Sequence, residues 1–155
     1  MQRDHDPGRP GGGATHLLPP TTHTYLMRAA ESLSEAIAAT EVPTRYACAH
    51  VAALRTAAAL LAARARPVRR SRGPVQKNAW VLLAEVAPEL AEWATFFAAG
   101  AAKRAAAEAG SRRAVTEREA DDLIREADRF LAVVESRLGL VPHPSVGDRP
   151  LPRAV

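Results

Sequence analysis

The sequence predicts an all-α fold: an antiparallel up-and-down bundle of four main helices, the third broken near Pro88, set between disordered tails. Three observations predict it. Apolar residues between positions 22 and 140 recur at three- and four-residue steps, with no strand-like alternation. Alanine, the strongest helix former, is abundant throughout that stretch. Proline and glycine gather at the two ends and at a few interior points where a helix has to stop.

Residues 1–21 carry Pro7, Pro10, Gly11, Gly12, Gly13, Pro19 and Pro20 with little to bury, and are expected to be a disordered tail. The first helix is expected over 24–40, with Leu26, Ala29, Ala30, Leu33, Ala36 and Ile37 as its buried stripe and Pro43 closing it. The second is expected over 44–66, with Thr44 as N-cap and Ala47, Val51, Leu54, Ala58 and Leu61 facing inward. A connector follows with Arg64, Arg66, Arg69, Arg70, Arg72 and Lys77 and no acidic residue, kept out of a helix by Pro67, Gly73 and Pro74. Asn78 can then cap a segment through Trp80, Leu82, Leu83 and Val86, which Pro88 interrupts. Leu90, Trp93, Phe96 and Phe97 add the large side chains before Gly110 ends the run. The last helix has the clearest start, a capping box of Thr116 and Glu119. Leu123, Ala127, Phe130, Val134 and Leu138 face inward, and Gly139 with Leu140 suits a helix-ending turn. Residues 141–155, with four prolines, are expected to be a second disordered tail.

Composition narrows the function. A single cysteine, Cys48, excludes an internal disulfide and a cysteine-built zinc site. The N-terminus lacks the apolar stretch of a signal peptide, and the longest apolar runs, such as 57–63 and 94–102, are short of the ~20 residues a membrane span needs. The expectation is a cytoplasmic protein with no membrane partner. The formal charge is +4, but arginine outnumbers lysine 19 to 2, a bias that goes with the alanine richness; the charge permits a nucleic-acid partner without requiring one. There is no phosphate-binding glycine loop, no nucleophile–histidine–acid signature and no metal-spaced histidine pair. The acidic residues of the last helix are interleaved with Arg118, Arg125 and Arg129, as on an ion-paired helix surface. No cofactor and no metal are therefore expected.

The stretch YACAHVAALRTAAALL at residues 46–61 resembles helices of the HEPN superfamily, the higher eukaryotes and prokaryotes nucleotide-binding domains. The stretches AWVLLAEVAPELAEWATFFAAGAAKRAAAEAG at 79–110 and TEREADDLIREADRFLAVVE at 116–135 resemble an actinobacterial branch of it. The resemblance implies an α-helical bundle, often a homodimer. Many such domains are ribonucleases of toxin–antitoxin, CRISPR and RNA-processing systems, marked by an arginine followed after four to six residues by a histidine. Arg45 and His50 have that spacing and are the catalytic candidates the resemblance implies. Histidine can move the proton of a 2′-hydroxyl or leaving oxygen near neutral pH, and arginine can stabilise charge on the phosphate, so the pair suits metal-independent RNA cleavage.

The residues themselves also support plainer readings. Arg9 with His16 and Arg137 with His143 also fall within the four-to-six-residue window. On a regular helix a separation of five places Arg45 and His50 about 140° apart. They converge only if Arg45 sits at a frayed helix start, or if a second copy brings its arginine to this histidine. His50 can equally border the core beside Tyr46 and Leu54, with Arg45 a surface or capping residue. Trp80, Trp93, Phe96 and Phe97 are expected in the core rather than as base-stacking platforms. Arg69, Arg70 and Arg72 are either a solvated loop or contacts to a nucleic-acid backbone. Two functions follow: a module associated with RNA or nucleotide, with cleavage through Arg45 and His50 as one form of it, or a non-catalytic helical domain that docks a protein partner.

Overall fold

The computed structural model describes residues 18–64 and 78–146, and these are all-helical, with no strand among them. Six helices follow in order: α1 (Pro20–Ala38), α2 (Val42–Arg64), α3 (Ala79–Val86), α4 (Ala91–Ala99), α5 (Ala101–Glu108) and α6 (Glu117–Arg137), with a 3-10 turn at Pro88–Leu90 between α3 and α4.

Helix α1 starts four residues earlier than the apolar period suggests, because Pro20 occupies its first position, where a missing N–H and a fixed φ cost nothing. The last two residues of the stretch read as tail are thus helical, and Leu18 packs against the core. Thr22 is fully buried, and its hydroxyl donates to the Ala59 carbonyl at 3.1 Å. Farther along, Arg55 of α2 donates to the Ser32 hydroxyl at 2.6 Å, so α1 and α2 run antiparallel. Ala29 and Ala36 on α1 and Ala49, Ala52, Ala53, Ala57 and Ala59 on α2 are buried. These methyl-sized side chains let helix backbones approach closely.

Proline 43 does not close α1, which ends at Ala38 with Ala39 extended; it lies in the first turn of α2, where its missing N–H is again harmless. Thr44 is consequently inside the helix and exposed, and the first backbone bond runs from Arg45 N–H to Glu41. The buried face of α2 is also not the expected one. Ala47, Val51, Leu54, Ala58 and Leu61 are only partly buried, whereas Arg45, Tyr46, Ala49, His50, Ala52, Ala53, Thr56, Ala57, Ala59 and Leu60 are buried. At 100° per residue these ten cover about half the helix circumference, opposite the predicted stripe. Helix α2 packs against α1, α3, α5 and α6, so it is the central element. By length and composition α2 is also apolar enough to cross a bilayer, a test that a core helix passes as well; half of its apolar window is buried against its neighbours.

Asn78 caps α3 by accepting the Trp80 N–H at 2.9 Å, and Pro88 breaks the chain as expected. The break folds α4 against α3, and Trp80 stacks on Phe97 with ring centroids 5.0 Å apart. Phe130 of α6 completes this aromatic centre, 5.2 Å from Phe97 and 5.4 Å from Trp93. The run does not continue unbroken to Gly110 but is interrupted at Gly100, where α4 gives way to α5. Gly110 then takes φ +83°, which closes α5 through a bond from Ser111 N–H to Ala106.

The capping box of α6 is formed, with Thr116 and Glu119 each accepting the other's backbone N–H. Leu123, Ala127, Phe130, Val134 and Leu138 are all buried. Gly139 at φ +77° ends the helix, and Leu140 N–H returns to the Glu135 carbonyl at 2.9 Å. Residues 141–146, read as the start of a tail, double back along α6, and Val146 packs against the core.

Candidate functional site

The first turns of α2 carry Arg45, Tyr46 and His50, and each meets a different neighbour. Arg45 is 2% exposed, and its Nη2 lies 2.5 Å from Asp121 Oδ1 on α6. The contact is a close ion pair without good hydrogen-bond alignment, and Arg45 Nε is buried with no partner. A guanidinium is tolerated there because the carboxylate is adjacent and about a quarter exposed to water.

His50 is 1% exposed and turned toward α4. Its Nε2 lies 3.0 Å from the Phe97 carbonyl oxygen. That oxygen can only accept, so Nε2 carries the proton and Nδ1 presents a lone pair. The Nδ1 is buried and has no hydrogen-bond partner. Trp80 and Phe97 approach the ring edge-on, with centroids at 6.0 and 6.3 Å. Burial pushes the pKa of His50 below the ordinary histidine value, only partly opposed by the Phe97 carbonyl, so the ring is held neutral. The structure thus does not bring Arg45 and His50 together within one chain: one is turned to α6, the other to α4, as their angular separation on a regular helix requires.

His50 does border an open depression of about 340 Å³, together with Tyr46, Phe96, Gly100, Lys103 and Leu123. Here the expectation of a buried aromatic set is corrected at one residue. Trp80 and Phe97 are core and Trp93 is partly buried, but Phe96 is 48% exposed. Ala94 and Phe97 are the buried residues of α4, and at 100° per residue Phe96 points well away from the narrow face they share. Lys103 on α5 is half exposed and pairs with Glu119, the residue that also serves the α6 capping box. The hydrogen bond and charge of Glu119 raise the Lys103 pKa, and Lys103 lowers that of Glu119. Burial, above all, raises the Tyr46 phenol.

Arg69, Arg70 and Arg72 lie outside the described residues. The acidic face of α6 divides in two. Asp122 pairs with Arg118 and Arg125, and Glu126 with Arg129, as a solvated helix surface does. Asp121 and Asp128 instead serve internal partners, Arg45 and His143. Sequence reading had no means of separating these two groups, because the partners come from distant parts of the chain.

A family model described as SAV_6107-like HEPN matches residues 36–135. No curated protein and no solved structure matches the chain significantly.

Proposed function

The chain belongs to the SAV_6107-like HEPN family, and on that premise we propose that it is a helical module that binds RNA or nucleotide at the depression between α2, α4 and α5. The observation that supports this reading is Phe96, an aromatic face left half exposed beside a lysine. A base stacked on Phe96 places its phosphate within the reach of Lys103, whose ammonium keeps further donors when one is given to Glu119. Arg69, Arg70 and Arg72 are proposed as further contacts to a nucleic-acid backbone. In this reading α1, α2, the broken α3–α5 run and α6 are the four members of an up-and-down bundle, and the protein works in the cytoplasm.

Fluorescence anisotropy with a labelled single-stranded RNA and a labelled nucleotide tests it. Phe96→Ala is expected to weaken binding about fivefold or more, since stacking on an aromatic is worth about 1–3 kcal/mol per base. Replacing Arg69, Arg70 and Arg72 by Ala is expected to flatten the salt dependence of RNA binding. If wild type binds neither ligand, the binding reading falls and the rival, a non-catalytic domain that docks a protein partner, takes its place as the reading to test.

One observation favours RNA cleavage as a further reading: His50, whose buried Nδ1 keeps an unpartnered lone pair, is among the residues that line the same depression. In that reading Nδ1 takes the 2′-hydroxyl proton as the 2′-oxygen bonds to phosphorus, the 5′-oxygen leaves with a proton from water, and the Arg45 of a second copy exchanges Asp121 for the phosphate. Labelled RNA incubated with the protein in chelator, beside His50→Ala and Arg45→Ala, decides it. No cleavage by wild type, or equal cleavage by the variants, removes the enzymatic reading and leaves binding intact.

A further inference from the structure

The second cluster of titratable groups lies at the other end of the molecule, where residues 141–146 return along α6. His143 inserts its ring between two carboxylates. Nε2 meets Asp128 Oδ1 at 2.5 Å, and Nδ1 contacts Glu135 Oε1. Asp128 is 4% exposed at its side chain and also accepts the Val146 N–H at 3.0 Å and the Ser145 hydroxyl at 3.4 Å. Pro142 and Pro144 flank the histidine and have no N–H to give. The anchoring of the segment therefore converges on two acids, through the His143 ring and through the backbone N–H groups of His143 and Val146.

That ring has to be doubly protonated. A carboxylate oxygen only accepts, and both imidazole nitrogens face one. A neutral imidazole would turn a lone pair toward a carboxylate at hydrogen-bonding distance, in a place where water screens little. The two nitrogens point to opposite sides of the ring, so the three residues do not converge on a common point as metal ligands would. Burial alone lowers the His143 pKa, but the hydrogen bonds of Asp128 and Glu135, with their charges, outweigh it and raise the pKa above the ordinary histidine value.

The same segment walls an apolar pocket of about 350 Å³. Its floor is Leu26, Leu33 and Ile37 of α1 with Leu131 of α6, and His143 and Val146 close one side. The α1 residues lining this pocket include none that titrates, residues 141–146 contain no ionisable group besides His143, and α6 faces the ring with Asp128 and Glu135.

We infer that residues 141–146 are a proton-dependent latch: protonated His143 holds the segment on Asp128 and Glu135, and its deprotonation frees the segment and uncovers the apolar pocket between α1 and α6. The latch is closed on the acid side of the His143 titration and open on the alkaline side. Opening is local, since Phe130 and Val134 of α6 are fully buried and lie outside the pocket that the segment walls.

The test is NMR on the full chain. The His143 ring is titrated directly, and the protection factor of the Val146 amide is measured across the same pH range, with the Phe130 amide as a reference for global opening. Protection of Val146 is expected to fall at least tenfold as pH rises through the His143 midpoint while Phe130 stays protected, with the Leu26 and Leu131 methyl signals shifting in step. His143→Gln, which carries no charge, is expected to leave Val146 unprotected at every pH. Equal Val146 protection on both sides of the midpoint, loss of Phe130 protection in parallel, or a His143→Gln protein as protected as wild type would each overturn the latch.

Discussion

At the scale of single residues, the buried charge at Arg45 is the strongest local commitment in the molecule. Its guanidinium has water almost nowhere near it, whereas Asp121 keeps about a quarter of its surface exposed. The two halves of the pair are thus unequal. Asp121→Asn leaves a buried cation without a counter-ion and is expected to cost about 2–4 kcal/mol, close to the loss found when one partner of a buried pair is removed. Arg45→Met replaces the buried cation by an apolar chain of similar length and leaves a carboxylate that water can reach, so it is expected to cost less. Urea unfolding of both variants checks the order, and a larger loss in Arg45→Met contradicts it. Arg45 was visible in the sequence only as half of a spacing motif. Its partner is 76 positions away on another helix, and no local pattern can announce such a pairing.

At the scale of elements, the starts and stops from Asn78 onward were mostly legible, those around α1 and the start of α2 were not, and faces were less so. Asn78, Pro88, Thr116 with Glu119, and Gly139 act through the backbone next to them, so a single chain segment displays both cause and effect. The face of α2 was misread because alanine occurs all around the helix, and the larger residues Val51, Leu54 and Leu61 mark the less buried side. A central helix has neighbours in several directions, so the size of its side chains does not point to the core. Gly100 was not foreseen either. Its φ of −82° is open to any residue, so the reason for glycine is room: a Cβ there would meet the Tyr46 hydroxyl at 2.9 Å. Gly100→Ala is expected to destabilise by about 1–2 kcal/mol, as overpacking does. In a Tyr46→Phe background the hydroxyl is gone and the same change is expected to be nearly neutral. A double-mutant cycle reads the coupling directly, and additive effects would rule out this contact as the reason for Gly100.

At the scale of the whole molecule, two histidines set opposite limits on stability. His50 is kept neutral in the fold, so the unfolded chain takes up a proton first as pH falls below the ordinary histidine value, and stability declines on that side until the lowered folded pKa is reached. His143 has a raised pKa in the fold, so its contribution is complete below the ordinary histidine value and disappears as pH rises through the folded one. Each arm has a limiting slope of about 1.4 kcal/mol per pH unit, one proton's worth. Urea titrations at a series of pH values are expected to show His143→Gln flattening the alkaline arm while the acid arm stays. Persistence of the alkaline arm in that variant would assign it to another group.

The break at Pro88 also bears on how the chain finds this fold. Trp80 and Phe97 are 17 positions apart, and along one continuous helix they would be about 26 Å from each other. Folding back at the proline brings the rings to a 5.0 Å stack instead, so the centre of the aromatic cluster is closed by a short loop. Closure entropy rises with loop length, so this contact costs the unfolded chain less than the 47-residue closure that joins His50 to Phe97. By interrupting its longest aromatic segment, the chain turns a long-range search into a local one.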